Sequence, residues 1–329
     1  MLIDLVLFVI GLLMLYYGAD FLVKGSSSLA RGLGLSPLLI GLTVVAFGTS
    51  APELFISIVS SLKGKSMIAV GNVVGSNICN IALVLGVAAL LHPIKSQPSV
   101  FRRDIPIMLG ISVYLLLISL NSTLGRLKGA TLFGGIIVYT CFNYIIARRE
   151  SRQGACVESI TYDCSAAQIE YVAGRSRQIL WIVIGIIGVI GGAEILIDAA
   201  VVIMKDLGVS EKFIGLTVVA FGTSVPELAT SVVAAMRKEM DISIGNLVGS
   251  NVFNMLSVLG AASLVRPISI PGGFIDSGLL VDYLVMMAIS ALPWLMARKT
   301  FTVQRRDGFM LLSCYVVYVV YLVFKSSPG

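Results

Sequence analysis

The polar residues of this chain come in two copies. The string Gly41-Leu-Thr-Val-Val-Ala-Phe-Gly-Thr-Ser-Ala-Pro-Glu53 returns as Gly215-Leu-Thr-Val-Val-Ala-Phe-Gly-Thr-Ser-Val-Pro-Glu227. Each copy is followed, at the same distance, by a second shared string: Gly71-Asn-Val-Val-Gly-Ser-Asn-Ile-Cys-Asn80 and Gly245-Asn-Leu-Val-Gly-Ser-Asn-Val-Phe-Asn254. The offset is 174 throughout, and 26 of the 46 residues from 41 to 86 are identical to their counterparts. Packing does not demand this, because apolar helix surfaces accept Leu, Ile, Val and Phe almost interchangeably. What has been copied is Gly, Thr, Ser, Pro, Glu and Asn. Such a chain is constrained to build one polar site from two matching halves.

The rest of the chain supplies an apolar frame. It is 57% hydrophobic and 13% charged, about half the charge of an ordinary soluble protein, with a mean hydropathy of +0.95. Runs long enough to cross a bilayer, about 20 residues each, recur from end to end. Ten spans are expected, near 2–22, 36–60, 67–91, 105–120, 128–147, 178–198, 213–236, 241–265, 279–297 and 308–325. The fold class is therefore an all-α polytopic membrane protein. The first segment begins Met1-Leu-Ile-Asp4, without a basic region or a small-residue cleavage site, and reads as a retained helix. Cys79, Cys141, Cys156, Cys164 and Cys314 show no metal spacing and read as reduced thiols.

The net charge of +6 does not signal nucleic acid, because the basic residues sit in short loops between spans. They report topology instead. With ten spans, sixteen of the 24 Lys and Arg fall on one face, among them Lys24, Arg31, Arg103, Arg177, Arg237 and Arg305. Eight fall on the other, including Lys63, Lys65, Lys205 and Arg266. Basic residues are retained on the cytoplasmic side, so the first face is cytoplasmic and both termini lie outside. The chain is expected in the plasma (inner) membrane.

Five spans separate equivalent segments, and five is odd, so the halves enter the membrane in opposite directions. The expected units are a first inverted repeat of five helices over 1–149, a cytoplasmic linker over 150–177 and a second repeat over 178–329. Inverted repeats with helix-breaking polar segments in matching positions are the architecture of secondary transporters.

Within each signature the chemistry is specific. Pro52 lacks an N–H for the carbonyl of Gly48, four residues back, and Gly48 adds flexibility. A broken helix at the midplane is expected, with freed carbonyls that are tolerated only where they line a cavity or meet an ion. Thr49, Ser50 and Glu53 can face one point. Asn72, Ser76 and Asn80 stack at intervals of four, and Gly71 and Gly75 allow another helix to approach closely. The second half repeats this with Gly222, Thr223, Ser224, Pro226, Glu227, Asn246, Ser250 and Asn254. Carboxylate, hydroxyl, amide and carbonyl oxygens suit hard cations, and calcium takes about 6–8 of them. Zinc, copper and iron would want imidazole or thiolate. Sodium resembles calcium in size, so either ion fits. Two carboxylates deep in a bilayer cost at least about 2.5 kcal/mol each unless cations neutralise them. A site that crosses only when loaded, with either of two cargoes, is an exchanger.

At these residues the chain resembles the cation/calcium exchanger superfamily, specifically its prokaryotic sodium/calcium exchanger-like antiporters. The resemblance spans nearly the whole chain and rests on Gly-Thr-Ser-x-Pro-Glu followed by Gly-Asn-x-x-Gly-Ser-Asn, present twice. It implies alternating access, with the first and sixth helices sliding across a core of the second, third, seventh and eighth. It also implies that Glu53 and Glu227 are the central calcium ligands, joined by carbonyls of Thr49 and Thr223. Ala46, Ser50 and Ser76 would complete a sodium site on one side of the centre, mirrored by Ala220, Ser224 and Ser250, while Asn80 and Asn254 would flank the middle. Potassium-dependent members carry Asp where this chain has Asn254, so only two formal negative charges are expected here. Three sodium ions against one calcium would then make exchange electrogenic and potassium-independent.

Several other readings compete. The two Glu could be a proton-sharing structural pair, and the glycines alone could be packing motifs, but neither explains the duplicated Thr-Ser-x-Pro-Glu. Asp20 and Glu194 are repeat-related and read as interfacial or gating. A channel would need a continuous polar lumen, whereas these polar residues cluster at one depth. An enzyme would need a nucleophile–base pair, and Ser50 and Ser224 have no His or Lys nearby in sequence. Within the same fold, a proton/calcium antiporter, or one carrying another divalent ion, is the alternative to sodium/calcium exchange. The expected partners are transported Ca2+ and Na+ and membrane lipid, with no cofactor, no nucleic acid and a monomer sufficient for transport.

Overall fold

The computed structural model describes residues 2–152, 171–208, 220–270, 275 and 277–326, side chains at 150–152, 220 and 325–326 excepted. Most of the expected linker, with Cys156 and Cys164, lies outside the described residues. So do residues 213–219 of the expected seventh span. The chain is helical, in the order α1 Leu2–Gly32, α2 Pro37–Thr49, α3 Ala51–Leu62, α4 Ser66–Leu91, α5 Ile105–Ser119, α6 Arg126–Arg152 and α7 Arg175–Asp206. After a short turn at Ala220–Gly222 come α8 Val225–Met236, α9 Met240–Val265, α10 Leu279–Ala297 and α11 Arg305–Ser326.

Among the described residues seven helices are long and apolar enough to cross a membrane, or eight if α2 and α3, bent by 47° at their junction, form one span. The two further segments of the expected ten are α5, of 15 residues, and α8, of 12, whose upstream residues 209–219 are not described. Two helices overrun their expected ends. α1 continues to Gly32 and α7 to Asp206 because they pack on each other along their length, with no surface to stop at.

That pairing depends on glycine. A Cβ on Gly18 would lie 2.7 Å from the backbone of Gly188 and Val189, and one on Gly11 would lie 2.7 Å from the Leu196 nitrogen. Reciprocally, a Cβ on Gly192 would meet the Leu15 nitrogen at 2.7 Å. The contacts run antiparallel, Gly11 near Leu196 and Gly25 near Gln178. Small residues let helices approach closely where no hydrophobic force distinguishes neighbour from lipid.

The remaining helices surround α4 and α9. Of the apolar windows of these two helices 78% and 83% are buried, against 11–33% for the other spanning helices, so they form the centre. Their side chains dominate one core cluster, containing Val70, Ile78, Leu247 and Val252 together with Tyr283 of α10. A separate cluster joins α1 and α7 through Leu15, Leu22, Ile182 and Val189 to Ile40, Val225 and Val233. The α1–α7 pair therefore lies mainly on α2 and α8 through its own apolar layer.

Two short ladders tie the connections together. β1 (Ile94–Lys95) pairs antiparallel with β4 (Thr302–Val303), Ile94 opposite Val303. β2 (Thr123–Leu124) pairs with β3 (Ile268–Ser269), Thr123 opposite Ser269. Side chains extend this sorting. At the first end Arg31 and Ser27 bond Glu239, Ser96 bonds Asp241, and the Val172 amide donates to Ser28 Oγ at 3.0 Å. At the other, Ser61 Oγ donates to the Ala262 and Arg266 carbonyls at 2.8 and 3.0 Å.

Gly18→Val is expected to push α1 from α7 and destabilise the protein by about 1–3 kcal/mol, read as a lower melting temperature in detergent. Gly110→Ala, where an added methyl meets nothing within 4 Å, should leave melting unchanged or raise it slightly.

Candidate cation site

The broken helices place the acidic residues. α2 ends at Thr49, Ser50 adopts φ −85°, ψ 9°, and α3 restarts with Pro52 in its first turn. The amide of Ser50 still reaches the Ala46 carbonyl (3.0 Å), and that of Leu54 reaches the Ser50 carbonyl (3.2 Å), so the interruption is confined to one turn. Its counterpart is at Ser224 (φ −90°, ψ 4°), with Pro226 opening α8. Proline's missing N–H explains both breaks. Each puts a glutamate, Glu53 or Glu227, in the first turn of the following helix. Helix N-termini favour negative charge.

Both glutamates are completely buried, 0% exposed. Ser50 Oγ donates to Glu227 Oε1 at 2.9 Å, crossing from the first copy to the second. Thr49 and Ser250 also stand beside Glu227, while Thr223 and Ser76 stand beside Glu53. Each carboxylate is thus flanked by a threonine from the opposite copy and a serine from the central helix of its own. Ser76 and Thr223 hydroxyls lie 3.4 Å apart. Thr49 Oγ1 donates to Asn246 Oδ1 at 3.1 Å. Ala46 and Ala220 contribute backbone one turn before each break.

Two asparagines not singled out by the sequence reading hold the centre together. Asn77 Nδ2 donates to the Asn251 carbonyl and Asn251 Nδ2 to the Asn77 carbonyl, both at 3.3 Å. Asn80 Nδ2 then donates to Asn251 Oδ1 (3.1 Å), and Asn254 Nδ2 to Asn77 Oδ1 (3.2 Å). These bonds occupy amide hydrogens of Asn80 and Asn254, and the Oδ1 of each is left without a partner. Asn72 Nδ2 bonds Ser57 Oγ (2.9 Å) and the Glu53 carbonyl (3.2 Å), and Asn246 Nδ2 bonds Ser231 Oγ (3.1 Å). The only signal for Asn77 and Asn251 was their place in the duplicated Gly-Ser-Asn.

Unexpected from sequence, both central helices widen into π-helical turns here, at Cys79–Leu85 and Asn254–Val258. Such bulges are frequent at functional sites; these begin at or beside Asn80 and Asn254.

The orphaned atoms define the chemistry. Both oxygens of Glu53, Oε2 of Glu227, Oγ of Ser224 and of Ser250, and Oδ1 of Asn80 and of Asn254 are buried without a hydrogen-bond partner. Unpartnered buried polar atoms are rare in native interiors and call for an explanation. All of these are oxygens, and three of them belong to the two carboxyl groups. Among the described residues no three His, Cys, Asp or Glu converge, so the donor set suits a hard cation held by neutral oxygens and two acids.

Comparison with known proteins places this geometry among transporters. A family model described as sodium/calcium exchanger protein matches residues 3–145 and 177–324. The inner membrane protein YrbG of Escherichia coli (strain K12) is 36% identical over 328 residues, which cover 99% of this chain and 98% of that one. The sodium/calcium exchanger MaX1 of Methanosarcina acetivorans is 32% identical over 350 residues, covering 98% and 99%. Among solved structures, the sodium-calcium exchanger NCX_Mj soaked with zero Na+ and Ca2+ superposes with a TM-score of 0.81 at 31% identity, covering 98% of this chain and 99% of that chain.

Asn77→Ala removes an amide tie to α9 and the acceptor that orients Asn254. The expected result is a loss of about 1–3 kcal/mol of stability, seen in thermal melting, together with weaker cation binding measured on the folded fraction.

Proposed function

This chain belongs to the sodium/calcium exchanger protein family, and we propose that it is a secondary active antiporter exchanging sodium for calcium by alternating access. Members of this family are membrane transporters and not enzymes. The observation that carries the reading is the set of partnerless buried oxygens on Glu53 and Glu227, contributed by opposite halves. Placing such carboxylates inside a membrane protein uncompensated costs at least about 2.5 kcal/mol each, and one calcium ion would cancel both charges.

In this reading Glu53 and Glu227 ligate calcium with the carbonyls of Thr49 and Thr223. Ala46, Ser50 and Ser76 serve a sodium ion, as do Ala220, Ser224 and Ser250 on the other side. Asn80 and Asn254 flank the centre. The hydroxyl oxygens around each carboxylate favour sodium over protons as the counter-ion, because a proton needs only the carboxylates. With two formal negative charges, three sodium ions exchanged for one calcium move a net positive charge, and no acid at Asn254 is present to recruit potassium.

Ten spans in two inverted repeats, 1–149 and 178–329 around a cytoplasmic linker 150–177, complete the proposal. It is supported by the antiparallel run of Gly11–Gly25 against the α7 backbone. The connections at the Arg31–Glu239 end carry the excess of basic residues, which puts that end in the cytoplasm and both termini outside. The membrane is the plasma (inner) membrane.

Radiolabelled calcium uptake into sodium-loaded proteoliposomes tests the exchange. Uptake is expected only with an outward sodium gradient, and to be faster when the interior is made positive, since each cycle exports one net positive charge. Uptake indifferent to sodium and driven by an acid interior would replace this reading with proton/calcium antiport. Glu53→Gln and Glu227→Gln are each expected to reduce uptake at least about 100-fold, in line with the loss of a charged ligand (about 3 kcal/mol), while the protein stays folded by circular dichroism.

A further inference from the structure

The two copies are matched in sequence, but they are not in the same state. α1 is bound to the α8–α9 connection by charge. Asp20, 5% exposed, pairs with Lys24 Nζ at 2.7 Å and with an Arg237 guanidinium nitrogen at 2.8 Å. About two turns later Ser27 Oγ donates to Glu239 at 2.6 Å, and Arg31 pairs with the same carboxylate. Adding 174 to Asp20 gives Glu194, on α7, and subtracting it from Arg237 gives Lys63, in the α3–α4 connection. The opposite charges needed for the equivalent pair are therefore present at the opposite end of the molecule. There, Glu194 and Lys63 are both exposed, and among the described residues neither forms an ion pair.

Burial around the cation site shows the same asymmetry. Thr49, Asn246, Val225 and Pro226 are buried, whereas their repeat partners Thr223, Asn72, Ala51 and Pro52 are half-exposed. The more exposed half of the site is the one next to α3 and α4, at the end where Glu194 and Lys63 stand apart. The half sealed off is at the end where Asp20 and Arg237 are joined.

We propose that Asp20–Arg237 and Glu194–Lys63 are two repeat-related charge clamps that close alternately, each holding the α1–α7 pair against the central helices while the opposite mouth is open. The proposal rests on the alternating-access reading and identifies positioning residues for it. None of the four touches the cation oxygens. Glu239, Ser27 and Arg31 strengthen only the first clamp: the repeat counterparts of Glu239 and Arg31 are Lys65 and Lys205, which are of like charge. The clamp at the Arg31 end is therefore the stronger of the two, and the structure rests with that end shut.

The repeat supplies matched reporters for a test. In a cysteine-free background, Ala51→Cys reports the end now open and Val225→Cys the end now shut, each labelled by a small membrane-impermeant thiol reagent added to purified protein. Arg237→Ala is expected to raise the labelling rate at Val225→Cys about fivefold and to lower it at Ala51→Cys, the scale of one partly buried ion pair. Lys63→Ala is expected to shift both rates the opposite way, and the double variant to return towards the parent. Charge reversal of a whole pair, Asp20→Arg with Arg237→Asp, should restore the parental ratio. A merely structural role for the pairs would lower melting temperature and leave the ratio of the two labelling rates unchanged, which would overturn the clamps. Calcium added to the parent separates the readings. If calcium slows labelling at Ala51→Cys while the clamp variants shift nothing, alternating access stands and the clamps fall. If neither ions nor variants alter labelling, both fall.

Discussion

Buried carboxylates without a counter-charge are among the most unfavourable elements a helical membrane protein can contain, and this molecule holds two at its centre. Glu53 and Glu227 are fully buried, and three of their four oxygens have no partner in the protein. Everything around them keeps oxygen, and not nitrogen, available. Asn77 and Asn251 take up amide hydrogens from Asn80 and Asn254, and the serine and threonine hydroxyls can rotate to present lone pairs. The partnerless oxygens of Glu53, Glu227, Ser224, Ser250, Asn80 and Asn254 fall where a cation would satisfy them. In the function proposed here, that deficit is what makes the empty site reluctant to cross and the loaded one free to do so.

The deficit also requires a particular scaffold. Two helices must be broken at corresponding points so that their N-termini converge, and proline after a flexible Gly-Thr-Ser does this in both copies. Two central helices must approach closely enough for asparagine side chains to reach the opposite backbone. A further pair, α1 and α7, packs through glycines with a core cluster of its own. An interface of small residues and smooth apolar contacts has few interlocking side chains, so charge pairs at its ends have a large influence on where it rests.

Much of this was legible in the chain. The duplicated polar strings picked out Glu53, Glu227, the hydroxyls beside them and Asn80 and Asn254, because in an apolar sequence polar identity kept at a fixed offset has few explanations besides a shared site. The breaks at Ser50 and Ser224 followed from Pro52 and Pro226. Asn77 and Asn251 were not distinguished, since their role is reciprocal pairing across the centre and each looks like its neighbours in sequence. The π-helical turns at Cys79–Leu85 and Asn254–Val258 were not distinguished either, since neither contains a proline or glycine that would mark it. The overrun of α1 and α7 was missed because hydropathy marks where a bilayer ends and not where a partner helix does.

By itself, the sequence determined the inventory of the site: which oxygens, how many charges, and that they are supplied in two matched sets. Those properties are covalent and survive any arrangement of the helices. Only the tertiary structure decided which of the two matched charge pairs is joined. Asp20 meets Arg237 while Glu194 and Lys63 remain apart. A repeated sequence is close to symmetric with respect to that choice, and the difference comes from contacts between residues roughly 200 positions apart, such as Arg31 with Glu239, that no local pattern encodes.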